Sequence, residues 1–251
     1  MRVILLAAGR AERLRPLTDA TPKCLLEVGG ASILARAIRI LAGEGLRRFT
    51  VVDGFEGDKL RAALFAQFPA EWFTLVRNEH WATTNNSHSL WLARGADEEP
   101  MLLLDGDLVF EPEVVRRLLA AGPPNRLALR SEGGVGEEEI KIVVGPDGRV
   151  TDIGKTIPPS VAVGESVGLE VFSADFSHKL WRTLERRARH EGGAHEWYEA
   201  SFLELIQAGE AIYPVDLGAL SCLEVDTAAD LERARRVFGA DGGGPDQSGW
   251  K

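Results

Sequence analysis

Residues 5–26, LLAAGRAERLRPLTDATPKCLL, decide how this chain folds. The run before them, MRVILLA at residues 1–7, is apolar almost throughout, the pattern of a strand covered on both faces of a parallel sheet. Ala8 and Gly9 end it with small residues that let backbone N–H groups approach a bulky anion. Arg13 and Lys23 follow, one a forked donor and the other a point charge, a pair suited to neutralising a polyphosphate.

Outward from that stretch, apolar runs alternate with helical patterns. Strands are predicted at residues 2–7, 49–53, 73–77 and 101–104, and helices at 32–42, 58–67, 87–94 and 111–121. This βαβ progression predicts an α/β, Rossmann-like, mostly parallel (mixed) central sheet flanked by helices, with ligands at the carboxyl ends of the strands. The second half reads as a hairpin at 140–144 and 150–153 around Pro146-Asp147-Gly148-Arg149, with a strand at 166–172. Helices at 174–189 and 197–207, strands at 211–214 and 222–225 and a closing helix at 227–237 complete the pattern. A single domain over residues 1–238 is expected, in halves 1–125 and 126–238, with a flexible, Gly-rich tail at 239–251. The loop 154–165, with Pro158 and Pro159, reads as a mobile flap over a substrate.

Composition excludes several classes of function. A net charge of −9 and a pI near 5.2 disfavour a nucleic-acid surface, since phosphate contacts reward a basic face. No apolar run approaches the roughly 20 residues needed to span a bilayer, and MRVILLAAGR is too short and strand-like for a signal peptide. A cytoplasmic location with no membrane partner is expected. Cys24 and Cys222 fit no metal spacing and read as reduced, buried thiols, and the five histidines form no ligand set.

Two acidic motifs stand far apart. Asp105-Gly106-Asp107 follows an apolar strand and puts two carboxylates at the sheet's carboxyl edge, a sparse cluster that suits Mg²⁺ with phosphate oxygens. Glu224-Val225-Asp226-Thr227 precedes the last helix, where Asp226 or Thr227 could serve as the cap. Strand alternation puts Glu224 and Asp226 on one face.

LAAG, Arg13-Leu14 four residues later, Pro16-Leu17-Thr18 and Pro22-Lys23 together resemble the nucleotidyltransferase family that makes NDP-sugars and CDP-alcohols. The family loop reads Gly-x-Gly-Ser/Thr-Arg, whereas this chain has Arg10, Ala11 and Glu12 before Arg13. If Ala11 needs positive φ, its Cβ costs about 1 kcal/mol. Glu12 repels a triphosphate unless it points outward, pairs with Arg10 or Arg15, or faces a metal, so weaker nucleotide binding or a late-ordering loop is expected. Asn78 and Thr83-Thr84-Asn85-Asn86-Ser87-His88-Ser89-Leu90 resemble the phosphocholine cytidylyltransferase branch and its inositol-phosphate and phosphonate relatives, as do EIKIVVGPDGRV, GESVGLEVFS and His195-Glu196-Trp197-Tyr198-Glu199.

The resemblance implies CTP and a phosphate or phosphonate acceptor as small-molecule substrates, with Mg²⁺ as cofactor and pyrophosphate as product. It implies catalytic roles for Arg13 and Lys23 and metal ligation by Asp107 and Asp226. Leu6, Ala7, Ala8, Gly9, Arg10, Asn78, Thr84, Asn85, Asn86, Ser89 and Asp105 would contact the nucleotide. Lys141, Lys155, Glu165, Glu196, Trp197, Tyr198 and Glu199 would contact the acceptor in the smaller, second-half portion. An aromatic face beside a carboxylate holds choline-like or aminoalkyl cations, although a helix starting at this point could equally turn Trp197 into the core. Two alternatives stay open: a sugar 1-phosphate enzyme using UTP or dTTP, and a non-catalytic nucleotide-binding relative. A dinucleotide-binding protein is disfavoured because no GxGxxG follows Ala7.

Overall fold

The computed structural model describes residues 1–95, 99–190 and 192–239. The expected tail therefore lies outside the described residues beyond Gly239. In chain order the elements are β1 (Arg2–Ala7), β2 (Glu27–Val28), β3 (Ala31–Ser32), α1 (Ile33–Gly43), β4 (Phe49–Asp53), α2 (Gly57–Phe65), β5 (Phe73–Arg77) and α3 (Asn86–Leu92). There follow β6 (Met101–Asp105), β7 (Leu108–Phe110), α4 (Pro112–Ala120), β8 (Arg126–Arg130), β9 (Lys141–Val144), β10 (Val150–Gly154) and β11 (Gly164–Phe172). The chain closes with α5 (Ala174–Ala188), α6 (Glu199–Gln207), β12 (Tyr213–Asp216), β13 (Cys222–Glu224) and α7 (Ala228–Phe238).

Strands from both halves share one nine-stranded sheet. Its parallel centre is β6-β1-β4-β5, with Leu5 of β1 level with Val51 of β4 and Leu104 of β6. Val3, Ile4 and Leu5 are fully buried, as a strand covered on both faces requires. β11 runs antiparallel beside β6, takes the β9–β10 hairpin on the same edge at Gly164 and Glu165, and pairs β8 on its other edge. β12 lies parallel to β8. Apolar clusters cover both faces of the sheet, one led by Leu34, Ile38 and Leu41 of α1 and the other by Phe176, Leu180 and Phe202 of α5 and α6. Among the described residues no helix is long and apolar enough to cross a membrane.

Several elements differ from the sequence reading. β8 is unexpected because its sequence, RLALR, begins and ends in charge. Arg126 is nevertheless 7% exposed, since its guanidinium donates to the carbonyls of Leu119 and Pro123 and so caps the end of α4. β7 is three residues long and pairs only with β13, so no local periodicity announces it. The expected flap is largely structured: Gly154 ends β10, Pro159–Val161 is a 3₁₀ turn and Gly164 already belongs to β11.

Candidate active site

The loop after β1 is held by its own sequence. Thr18, fully buried, donates its hydroxyl to the Ala11 carbonyl at 2.8 Å, which explains a threonine in Pro-Leu-Thr. Leu14 is buried against Leu26, Val225 and Leu231, anchoring the 3₁₀ turn Glu12–Leu14 to α7. Ala11 does adopt the left-handed region, at φ 56, where a glycine would be unstrained. Glu12 is exposed and forms no part of the cleft wall, so its charge stays in solvent. Lys23 opens the turn Lys23–Leu25, where Pro22 supplies the N-cap position and Cys24 points into the core.

The unexpected β7 brings the two acidic motifs together. Gly106 donates its N–H to the Leu6 carbonyl at 2.9 Å, and a Cβ at this position would stand 2.7 Å from that oxygen, so the Asp105-Gly106-Asp107 turn needs glycine to lie against β1. β7 then pairs antiparallel with β13, Leu108 opposite Glu224, and the Val225 N–H closes onto the Asp107 carbonyl at 3.1 Å. α7 is capped by Thr227, in a reciprocal box with Asp230, so Asp226 is not the cap.

Lys23 Nζ stands 2.6 Å from Asp107 Oδ2 and 2.7 Å from Asp226 Oδ1, and Arg13 pairs with Asp226 Oδ2. Burial disfavours the Lys23 ammonium, but Asp107 and Asp226 outweigh it and raise its pKa. Burial likewise opposes ionisation of Asp226, and Lys23 with Arg13 reverses the balance and lowers it. One carboxylate oxygen each from Asp107, Glu224 and Asp226 lie within 4.8 Å of one another. Asp107 Oδ1 is buried with no hydrogen-bond partner. Three hard oxygen donors, one of them unsatisfied, fit Mg²⁺.

These groups line a cleft of about 510 Å³ at the carboxyl ends of the parallel strands. Leu6, Ala7, Ala8 and Gly9 form its floor with Asp105 and Gly106, and Asn78, Thr84, Asn85, Asn86 and Ser89 form one wall. The amides of that wall are partly committed. Buried Asn78 donates to Thr84 Oγ1 and Ser89 Oγ at 3.1 and 3.0 Å, Asn85 caps α3, and Asn86 Oδ1 accepts the Tyr198 N–H at 3.0 Å. Trp81, Arg130 and Arg233 also line the cleft, and the sequence reading passed over all three. A lone tryptophan and two arginines carry no spacing signal. Arg10 is not on the cleft wall, and its guanidinium lies 5.3 Å from the Phe55 ring centroid.

The far wall is acidic. Lys155 Nζ sits 4.2 Å from the ring centroid of Trp197, which is 44% exposed. Glu199 is buried on the cleft wall, its Oε2 has no partner, and burial pushes its carboxyl up to about 7. Beneath it Glu170 and Asp105 are pushed well above the carboxylate range, first by burial and then by the neighbouring carboxylates. Glu165 lines the cleft too, held by Arg130, with burial still raising its pKa.

Three residues expected at the acceptor lie elsewhere. Lys141 is fully buried, and its ammonium donates to the carbonyls of Gly136, Glu137 and Glu139 at 3.2, 2.7 and 3.1 Å, which exhausts its three protons. Tyr198 is fully buried, with its hydroxyl donating to Asp105 Oδ2 at 3.0 Å, because the turn Gly193–His195 rotates it inward ahead of α6. Glu196 pairs with Arg187 at 2.7 Å and is not on the cleft wall. Burial pushes Cys24 and Cys222 up to about 12, in keeping with packed thiols.

Residues 3–211 match the family model described as a MobA-like NTP transferase domain. The chain is 29% identical over 248 residues to a CMP-5'-(3-aminopropyl)phosphonate synthase of Streptomyces rubellomurinus, a match covering 93% of this chain and 38% of that protein. It is 28% identical over 235 residues to a 2-aminoethylphosphonate cytidylyltransferase of Lancefieldella rimae, covering 91% of this chain and 89% of the relative. Its fold matches the inositol-1-phosphate CTP transferase of T. maritima with a TM-score of 0.80 at 20% identity, covering 96% of each chain.

Proposed function

The chain belongs to the family of MobA-like NTP transferase domains, and from that membership and its likeness to a CMP-5'-(3-aminopropyl)phosphonate synthase and a 2-aminoethylphosphonate cytidylyltransferase we propose that it is a cytidylyltransferase, transferring CMP from CTP to a phosphate or phosphonate that carries a protonated amine. The observation that carries this reading is the polarity of the cleft: Arg13, Lys23, Asp107 and Asp226 meet at one rim, and a buried Glu199 with an unpartnered Oε2 faces the other.

An anionic oxygen of the acceptor attacks the α-phosphorus of CTP in line. The new P–O bond forms as the bond to the β-phosphate oxygen breaks, and pyrophosphate leaves with the electron pair. The attacking oxygen is already an anion, so no general base is required. Arg13 and Lys23 offset charge on the phosphates, while Lys155 and Arg130 orient the acceptor's anionic group. Mg²⁺ held by Asp107, Glu224 and Asp226 would neutralise phosphate oxygens at the reacting centre. Trp81 gives the nucleotide side an aromatic surface, and the backbone of Leu6 to Gly9 offers the groups that contact base and phosphate.

The amine follows from what the far wall lacks. With Tyr198 turned into the core, one exposed ring remains on this wall among the described residues, and Lys155 already covers it, so those residues form no aromatic cage for a quaternary ammonium. A carboxylate with a free oxygen accepts N–H hydrogen bonds, which a primary ammonium has and a trimethylammonium lacks. A neutral sugar or inositol ring supplies no cation to this carboxyl, which burial then keeps protonated up to about pH 7.

Pyrophosphate release measured with CTP, UTP, dTTP and ATP against 2-aminoethylphosphonate, its trimethylammonium analogue, inositol 1-phosphate and glucose 1-phosphate tests the reading. The expected pair is CTP with 2-aminoethylphosphonate. Glu199→Gln should raise KM for that acceptor by about 30-fold, the worth of roughly 2 kcal/mol for a charge-assisted contact, and leave KM for ethylphosphonate within about twofold. Preference for a polyol phosphate would overturn the amine, and turnover with UTP or dTTP alone would overturn the cytidylyl assignment.

A further inference from the structure

Lys23 binds two of the three carboxylates that a divalent cation would use. Its Nζ contacts Asp107 Oδ2 and Asp226 Oδ1 at 2.6 and 2.7 Å, and Arg13 engages Asp226 Oδ2, so the accessible faces of both carboxylates already hold protein cations. The third carboxylate of the cluster, Glu224, has an oxygen within 4.8 Å of one oxygen from each of them. A dication sharing those oxygens with an ammonium would sit within a few ångströms of it, where like charges repel strongly in a partly dry site. The Lys23 side chain is only 15% exposed, so the ammonium cannot withdraw into bulk water without losing partners that solvent does not replace. Lys23 and Arg13 both line the cleft, and the anion able to receive them there is a polyphosphate.

We propose that Lys23 and the divalent cation compete for Asp107 and Asp226, so that metal binds tightly only together with a nucleotide whose phosphates take over the displaced ammonium. This rests on the metal site of the functional reading and adds a coupling between two ligands. The coupling is reciprocal: nucleotide tightens metal by the factor by which metal tightens nucleotide. Lys23 then does more than offset charge. It keeps the acidic cluster neutralised between turnovers, and its transfer to the phosphates links closure of the site to the arrival of both ligands.

Mn²⁺ titration of the nucleotide-free protein, with free metal followed by electron paramagnetic resonance, separates the possibilities. Lys23→Gln should bind Mn²⁺ about tenfold tighter than wild type, within the usual range of coupling factors. Lys23→Arg, which keeps a cation in place, should stay as weak as wild type, and adding Asp107→Asn to Lys23→Gln should remove the gain. Lys23→Met repeats the measurement with an apolar side chain, and Mn²⁺ should raise the melting temperature of either neutral variant more than that of wild type. If Lys23→Gln and Lys23→Met bind no tighter than wild type while Asp107→Asn still weakens wild-type binding, the exchange is wrong and the metal site stands. If no variant binds Mn²⁺, or Asp107→Asn has no effect in wild type, the metal-site reading fails and the exchange fails with it.

Discussion

Single residues decided where the sequence reading went wrong in this cleft, and Lys141 is the sharpest case. On β9 it pairs in register with Gly154 of β10 and Glu165 of β11, and in a list of basic residues near an acceptor it reads as an anion clamp. Its ammonium instead caps three carbonyls of the segment before β9, in which Glu138, Glu139 and Ile140 line the cleft. A lysine that anchors backbone and a lysine that binds substrate differ in what their loss does. Lys141→Met should lower unfolding stability by about 2 kcal/mol, the scale of hydrogen bonds from a charged donor in a buried setting, and leave KM for the acceptor within about threefold at temperatures where the variant is folded. Urea unfolding alongside acceptor kinetics reads both, and a large KM effect with unchanged unfolding would restore the clamp. Ala11 illustrates the reverse: the sequence posed the question of positive φ and the φ of 56 answers it, so the loop takes a left-handed turn at a residue that carries a Cβ.

The elements best seen in the sequence are those whose pattern is internal to them. β1 and β6 are apolar runs with one charged end, β4 and β5 are mostly apolar stretches broken by a threonine, and the helices from α1 to α7 carry stripes that need no partner to be recognised. What escaped is what exists only by pairing. β7 is the case: a strand at 222–225 is expected and found as β13, but its three-residue partner is not, and yet their ladder places Asp226 beside Asp107 across more than a hundred residues of chain. The candidate site was legible in its members because charge and glycine at strand ends show in sequence. Its walls were legible in part: Asn78, Thr84, Asn85, Asn86, Ser89, Lys155, Glu165, Trp197 and Glu199 do line the cleft, while the exposure of Tyr198, Lys141 and Glu196 depends on neighbours distant in the chain. β11 carries a testable version of such dependence at Gly168, whose φ is 74 and where a Cβ would come 2.5 Å from Asp105 Oδ2. That oxygen accepts the Tyr198 hydroxyl, so Gly168→Ala should displace Asp105, expose Tyr198 and cost about 1–3 kcal/mol in stability. A Tyr198 fluorescence or near-ultraviolet circular dichroism signal identical to wild type, with unchanged unfolding, would show that β11 absorbs the methyl group elsewhere.

Over the whole molecule, buried carboxyl groups are unevenly placed: Asp105, Glu165 and Glu199 line a single cleft, and buried Glu170 interacts with Asp105 and Glu199 behind it. Such a concentration makes stability depend on pH in a definite direction. Around Glu199, which opens α6, stand Asp105 from β6, Glu170 from β11, Lys155 just beyond β10 and the Tyr198 hydroxyl, and burial dominates the balance for its carboxyl. Its pKa is pushed from 4.5 up to about 7, so the folded protein keeps a proton that the unfolded chain releases between those values. Below pH 4.5 both states hold the proton and the group costs nothing; across the window stability falls as pH rises, and above about 7 the loss levels off. That difference amounts to roughly 3 kcal/mol at most. Urea midpoints at pH 5, 6, 7 and 8 should decline in wild type and decline less in Glu199→Gln, whose amide does not titrate. Saturating 2-aminoethylphosphonate should restore part of the loss above pH 7, because an ammonium against the carboxylate supplies the partner that burial removed. Equal slopes in wild type and Glu199→Gln would mean that Glu199 is solvated in the folded protein, and the acidic wall would then lose its claim to an amine.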